Sequence, residues 1–115
     1  MKEYLLLFWN EAGDGSYQPS AEELKQGMAA WQAWIGEIAV QGKLVSTKPI
    51  QFSGLIVNNS GIESHPAIVD GMMVTGYLIC KADAVEELEN WSKTCPILHY
   101  PKGFTEIREM APFEI

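Results

Sequence analysis

The chain has 115 residues, a formal net charge of -7 and an isoelectric point near 4.7. With 8 lysines and arginines against 15 carboxylates it lacks the clustered cations that phosphate-backbone binding needs, which excludes nucleic acid as a partner. Hydrophobic residues make up 47% and mean hydropathy is -0.04, as in globular proteins, and the longest apolar run, residues 5–9, is far too short for a membrane span.

Residues 3–9 read as a central strand, with Tyr4, Leu6 and Phe8 on one face and Leu5, Leu7 and Trp9 on the other. A loop runs on to Pro19. Its Gly13-Asp14-Gly15-Ser16 is turn chemistry without the lysine and glycine spacing of a phosphate-binding loop. Ser20 with Glu23 forms a capping box that opens a long helix. Leu24, Met28, Trp31, Ile35 and Ile38 recur at steps of four and three as one apolar stripe, and Gly42 stops the helix. Residues 43–48 read as a strand ended by Pro49. Residues 53–57 form a short strand that turns at Asn58-Asn59-Ser60-Gly61 into a returning strand, 62–70, interrupted by Pro66. Residues 72–81 are the second long apolar strand.

Asp83 with Glu86 gives another N-cap pattern, and Val85, Leu88 and Trp91 the buried stripe of a short helix. Cys95-Pro96 ends that helix, and Pro101-Lys102-Gly103 turns the chain into a last strand, 104–110. The order β-α-β-hairpin-β-α-β predicts an α+β fold, a ferredoxin-like βαββαβ sandwich with an elaborated central hairpin, as one domain over residues 1–115. Cys80 and Cys95 make neither a disulfide framework nor a metal signature; Cys80 reads as a buried strand residue and Cys95 as a partly exposed thiol. The start of the chain combines no basic segment, long apolar stretch and small-residue cleavage site, so a cytoplasmic protein is expected.

The opening Tyr4-Leu5-Leu6-Leu7 strand, Trp31-x-x-Trp34, Gly42-Lys43-Leu44, the Gly76-Tyr77 strand, Cys95-Pro96-Ile97 and Glu106-Ile107-Arg108 stand in an order that resembles the YCII-related family, in its DGPF-type branch. The resemblance covers nearly the whole chain and implies a fold of the dimeric α/β-barrel type and a homodimer. It also implies a pocket between the sheet and the first helix. Branch members carry D-G-P-F-x-E-x-K before the G-Y strand. Laid down without gaps, that motif falls on Ser64, His65, Pro66, Ala67, Val69 and Gly71, and only Pro66 matches; a gapped placement pairs its D-G with Asp70-Gly71. Some branches place an acid–base histidine on the first helix, at a position that counting back from Gly42 assigns to Trp31, where an indole cannot exchange a proton near neutral pH.

His65 and Asp70 are the candidate catalytic pair, as a proton shuttle and the carboxylate that would orient it. Five residues apart in one strand, they would point to opposite faces about 16 Å apart and meet only across a turn or between subunits. Trp9, Trp31, Trp34 and Tyr77 are the candidate ligand-binding set, an apolar pocket with the Tyr77 hydroxyl as polar handle. His65 and His99 lack metal-site spacing, and no nucleophile motif or dinucleotide fingerprint occurs, so neither metal nor cofactor is expected. The function this supports is binding of a small cyclic or aromatic molecule between sheet and first helix or at a dimer interface. The alternative is a non-catalytic, transcription-associated dimerisation or interaction module.

Overall fold

A computed structural model describes residues 1–13 and 20–114, with the side chains of Glu23 and Leu24 left out. The elements in chain order are β1 (Lys2–Glu11), α1 (Ala21–Val40), β2 (Leu44–Pro49), β3 (Ile56–Asn58), β4 (Gly61–Glu63), β5 (Met72–Ala82), α2 (Val85–Ser92), a 3-10 turn (Pro96–His99) and β6 (Phe104–Glu109). Strands β2-β5-β1-β6 form one antiparallel sheet, and β3-β4 a separate two-stranded hairpin. This is the ferredoxin-like α+β order, each βαβ half being split by a strand of the other. No helix among the described residues is long and apolar enough to cross a membrane.

Both helices cover one face of the sheet. Tyr4, Leu6 and Phe8 of β1 meet Leu78, Cys80 and Ala82 of β5 in a core closed by Trp34, Ile38, Leu88, Cys95 and Ile97. Each large apolar side chain sealed there contributes roughly 1.5–3 kcal/mol. Helix α1 ends in a Schellman motif, in which Gly42 at φ 72 donates to the Ala39 carbonyl and Lys43 to that of Ile38. A side chain at Gly103 would overlap the Ile97 carbonyl, so the turn into β6 requires glycine.

Several expectations are corrected. In α1 the predicted Trp31, Ile35 and Ile38 pack on the core, but Met28 of the stripe is 58% exposed and Trp34, outside it, only 6%. The returning strand is only Gly61–Glu63, because Pro66 cannot donate to a ladder and the chain beyond it turns again. Val69 and Met72 exchange both backbone hydrogen bonds at 2.9 Å around Asp70 (φ 52) and Gly71 (φ 77), the positive pair of a type I′ turn. The cap of α2 falls one residue later than predicted. Ala84 is the N-cap, and the Glu87 carboxylate accepts from the Asp83 and Ala84 N–H groups at 2.8 and 3.4 Å. Cys95 is buried where a partly exposed thiol was expected. The turn at Asp14–Ser16, the Glu23 half of the first capping box and Leu24 of the stripe lie outside the described residues.

The half-buried Lys43 ammonium also pairs with Glu87 and stands 5.9 Å over the Trp91 ring, joining the end of α1 to α2. The Glu87 carboxyl is held below its ordinary 4.5, first by Lys43 and then by the Asp83 N–H. A carboxyl depressed in the folded state stabilises it above the unfolded value, and that contribution is lost as pH falls through the folded value. Glu87→Gln therefore melts below wild type at neutral pH, and the gap closes on acidification below 4.5. Melting followed by circular dichroism checks this; a gap independent of pH contradicts it.

Candidate functional site

Between α1 and the helix-covered face of the sheet lies a cavity of about 670 Å³, within the size range of small-molecule sites. Its helix wall is Gly27, Met28, Trp31, Gln32 and Ile35, one to two turns apart on a single side of α1. The sheet wall is Phe8 and Asn10 of β1, residues 47–49 of β2, and Thr75 and Gly76 of β5, with Phe52, Ile97 and Tyr100 closing the ends. A bulge in β5 builds this wall. Phe8 pairs with Gly76 but Trp9 with Val74, so Thr75 is the extra residue, and its hydroxyl donates to the Phe8 carbonyl at 3.1 Å.

The lining is aromatic with a few polar atoms. Phe8 meets Trp31 edge-on at 4.9 Å between ring centroids. Thr47 donates its hydroxyl to the Tyr77 carbonyl at 2.8 Å, and Asn10 accepts from the Glu11 N–H at 2.8 Å. The Trp31 indole N–H has no hydrogen-bond partner among the described residues, whereas those of Trp9 and Trp34 do. Among the described residues no carboxylate, imidazole or thiol lines this space, and the ionisable residues in its wall are Lys48 and Tyr100.

The four aromatic candidates divide between the two faces of the sheet. Trp31 lines the cavity. Trp34 lies beside it in the core, 5.8 Å from Trp31, with its N–H given to the Trp91 carbonyl at 2.9 Å. Trp9 and Tyr77 stand on the opposite face, because Leu7 pairs with Tyr77 and side chains alternate along β1. There Trp9 stacks on Phe104 at 5.8 Å and donates to Glu106 at 3.1 Å, Glu106 pairs with Arg108 at 3.4 Å, and the Tyr77 hydroxyl meets that of Ser46 at 3.2 Å. Tyr77 is thus no polar handle for this cavity; Asn10, Gln32, Thr47, Lys48, Thr75 and Tyr100 are the polar residues in its wall.

His65 and Asp70 are not joined. The exposed His65 ring lies 3.6 Å from Glu63 and 2.9 Å from its neighbour's carbonyl, that of Pro66. Asp70 sits at the tip of the type I′ turn, where it lines a second, smaller cleft of about 370 Å³ beside the exposed Glu11–Lys102 ion pair. The dipeptide Asp70-Gly71 is itself the sequence signal of that turn. His99 is exposed at the end of the 3-10 turn. Among the described residues no three His, Cys, Asp or Glu side chains gather to hold a metal ion. Sequence reasoning missed Phe8, Phe52, Gly27 and Tyr100. Phe8 was readable from its alternation with Tyr4 and Leu6, whereas Phe52 and Tyr100 lie in irregular segments without a period.

The chain matches no protein-family model and no curated protein. Among solved structures it is similar to 5-chloro-2-hydroxyhydroquinone dehydrochlorinase (TftG) from Burkholderia phenoliruptrix AC1100 in complex with 2,5-dihydroxybenzoquinone. The two share 16% identity over 93% of each chain at a TM-score of 0.53. At that identity the likeness shows a common fold.

Burial pushes both the Cys80 and Cys95 thiols up to about 11, with the Glu3 and Glu87 charges adding to it at Cys80. An aromatic disulfide reagent at mildly alkaline pH should therefore find no reactive thiol in the native protein and both after denaturation. Rapid labelling of either in the native state would contradict their placement.

Proposed function

We propose that this protein binds a small planar cyclic or aromatic molecule in the cavity between α1 and the sheet. The observation that carries the reading is the cavity wall itself, which pairs the Phe8 and Trp31 rings with an indole N–H that has no other partner among the described residues. A ring of this kind gains burial against apolar walls and one directed hydrogen bond from Trp31 to an acceptor oxygen. The dehydrochlorinase of the same fold was solved with a dihydroxybenzoquinone, which supports a ligand of that size and shape. In this reading the chain is a single-domain YCII-related protein of the DGPF type in which the acidic motif has decayed. With no carboxylate or imidazole in the described wall, binding rather than acid–base catalysis is the activity assigned.

The same reading makes the protein a homodimer. Leu5, Leu7, Val74 and Ile79 share the sheet face that carries Trp9 and Tyr77, and both helices lie on the other side. A second copy laid on this face would cover it symmetrically. A second reading, an interaction module, is favoured by one observation. In the hairpin Val57 and Ile62 are 75% and 68% exposed, as is Leu55 just before it at 68%, and a detached two-stranded hairpin has little stability of its own.

Thermal-shift measurements on a panel of phenols, small aromatic acids, lactones and 2,5-dihydroxybenzoquinone test the binding. At a hundredfold excess over Kd a true ligand adds about 2.7 kcal/mol of stability. Trp31→Phe, which keeps a ring and removes the donor, costs about 1 kcal/mol, roughly fivefold in Kd. A panel without a single dose-dependent shift contradicts the reading. For the dimer, light scattering should give twice the 12.8 kDa chain mass for wild type and the single mass for Leu7→Asp. A wild-type monomer at micromolar concentration removes that claim.

A further inference from the structure

We propose that Gly27 is the specificity-determining residue of the cavity: the side chain missing from this position of α1 is the space into which the ligand's ring fits. This rests on the reading of the cavity as a ligand site, and adds which residue limits what can enter.

The inward side of α1 runs through Gly27, Trp31, Trp34 and Ile38, at steps of four, three and four. Trp34 and Ile38 fill the space between helix and sheet in the C-terminal half, where they are nearly sealed from solvent. Gly27 occupies the corresponding place one turn before Trp31, and there the cavity opens. The void therefore has a cause in the sequence. At this position of the cavity wall, one turn before Trp31, where a larger side chain would project into the space, the chain carries a hydrogen atom.

Nothing else about the backbone calls for glycine at this position. Gly27 does not adopt the left-handed conformation that favours glycine, and a Cβ built there meets nothing within 4 Å among the described residues. Glycine inside a helix costs stability relative to alanine, because it gives up more backbone freedom on folding. The helix bears that cost, and what it gains is room.

The opposite wall repeats the arrangement for a different reason. Gly76 of β5 also lines the cavity, and a Cβ on it would stand 3.3 Å from the Lys48 carbonyl and 3.5 Å from the Phe8 ring. Packing keeps Gly76 small; only the empty space keeps Gly27 small. Between the two glycines a flat ring can approach both backbones while the Phe8 and Trp31 rings border it, and any side chain at position 27 narrows that slot. Gly36 supplies the internal comparison. It is in the same helix and equally free of close neighbours, but it does not line the cavity.

The experiment uses 4-bromophenol, a one-ring probe whose bromine can be located by anomalous scattering. Calorimetric titration gives its Kd, and soaked crystals give its position. Wild type should show a bromine peak between α1 and β5. Gly27→Ala should melt higher than wild type and bind roughly tenfold more weakly, the discrimination that one methyl group typically brings in a closed pocket. Gly27→Phe should lose the peak, and Gly36→Phe should keep both peak and Kd. A Gly27→Ala variant with raised Tm and unchanged Kd overturns the assignment even if Gly27→Phe fails to fold, as does a folded Gly27→Phe that retains the peak. Those results leave the cavity a binding site. If wild type shows no bromine in the cavity while the thermal-shift panel finds no ligand, both this inference and the reading beneath it fall.

Discussion

The Trp34 indole ties together the parts of this fold that make a cavity. It is buried at the centre of α1, meets Phe8 of β1 edge-on at 5.9 Å, and donates its N–H to the Trp91 carbonyl of α2 at 2.9 Å. Trp91 lies in the last turn of α2, where its carbonyl also accepts from the Thr94 N–H and hydroxyl at 3.1 Å, so the buried indole donor is satisfied by an acceptor that the end of α2 holds in place. One side chain thereby fixes α1 against the sheet and against the second helix. Lys43, just past the end of α1, adds a second tie through Glu87 and the Trp91 ring. With the C-terminal half of α1 pinned, its N-terminal half is held over the sheet at a fixed height. What fills the gap below it then depends on side chains alone, and at Gly27 there is none.

The sheet separates two kinds of chemistry. On its helix-covered face, Tyr4, Leu6, Leu78 and Cys80 form a dry core that opens into the cavity beyond Phe8. On the other face, Trp9 and Phe104 stack above the Glu106–Arg108 pair, and Tyr77 reaches Ser46. An aromatic residue serves the cavity or the outer face according to strand parity. The bulge at Thr75 shifts that parity in β5 just where the cavity wall needs Thr75 and Gly76 together. The turn at Asp70-Gly71 feeds β5 into this register from the hairpin side.

The long elements were legible because their patterns are long. The apolar runs of β1 and β5 and the Gly42 stop of α1 place these elements within one or two residues of the observed bounds, while α2 ends at Ser92, ahead of the Cys95-Pro96 stop. Pairing was not legible. Nothing local to Tyr77 says that it stands opposite Leu7 rather than Phe8, so its assignment to the pocket failed at the register between strands. The burial of Trp34 was not legible for a similar reason: it lies beside the predicted stripe, and the Phe8 and Trp91 partners that seal it are supplied only by the folded chain, while Met28 of the stripe stays exposed in the cavity wall. Asp70 was weighed for its carboxylate when its informative property was its neighbour, Gly71, and the turn the pair makes. Among the candidate site residues, the one in the cavity wall is Trp31, and its polar atom has the least structural work to do.

The most direct test of ligand binding in this cavity is a proton–nitrogen correlation titration of the labelled protein with a one-ring aromatic acid, followed at the tryptophan indole and glycine amide signals. The account predicts saturable shifts of the Trp31 indole and of the Gly27 and Gly76 amides, with the Trp9 indole unmoved on the far side of the sheet. Shifts confined to Trp9 and its strand neighbours, or no saturable shift at Trp31 for any ligand that stabilises the protein, would contradict it.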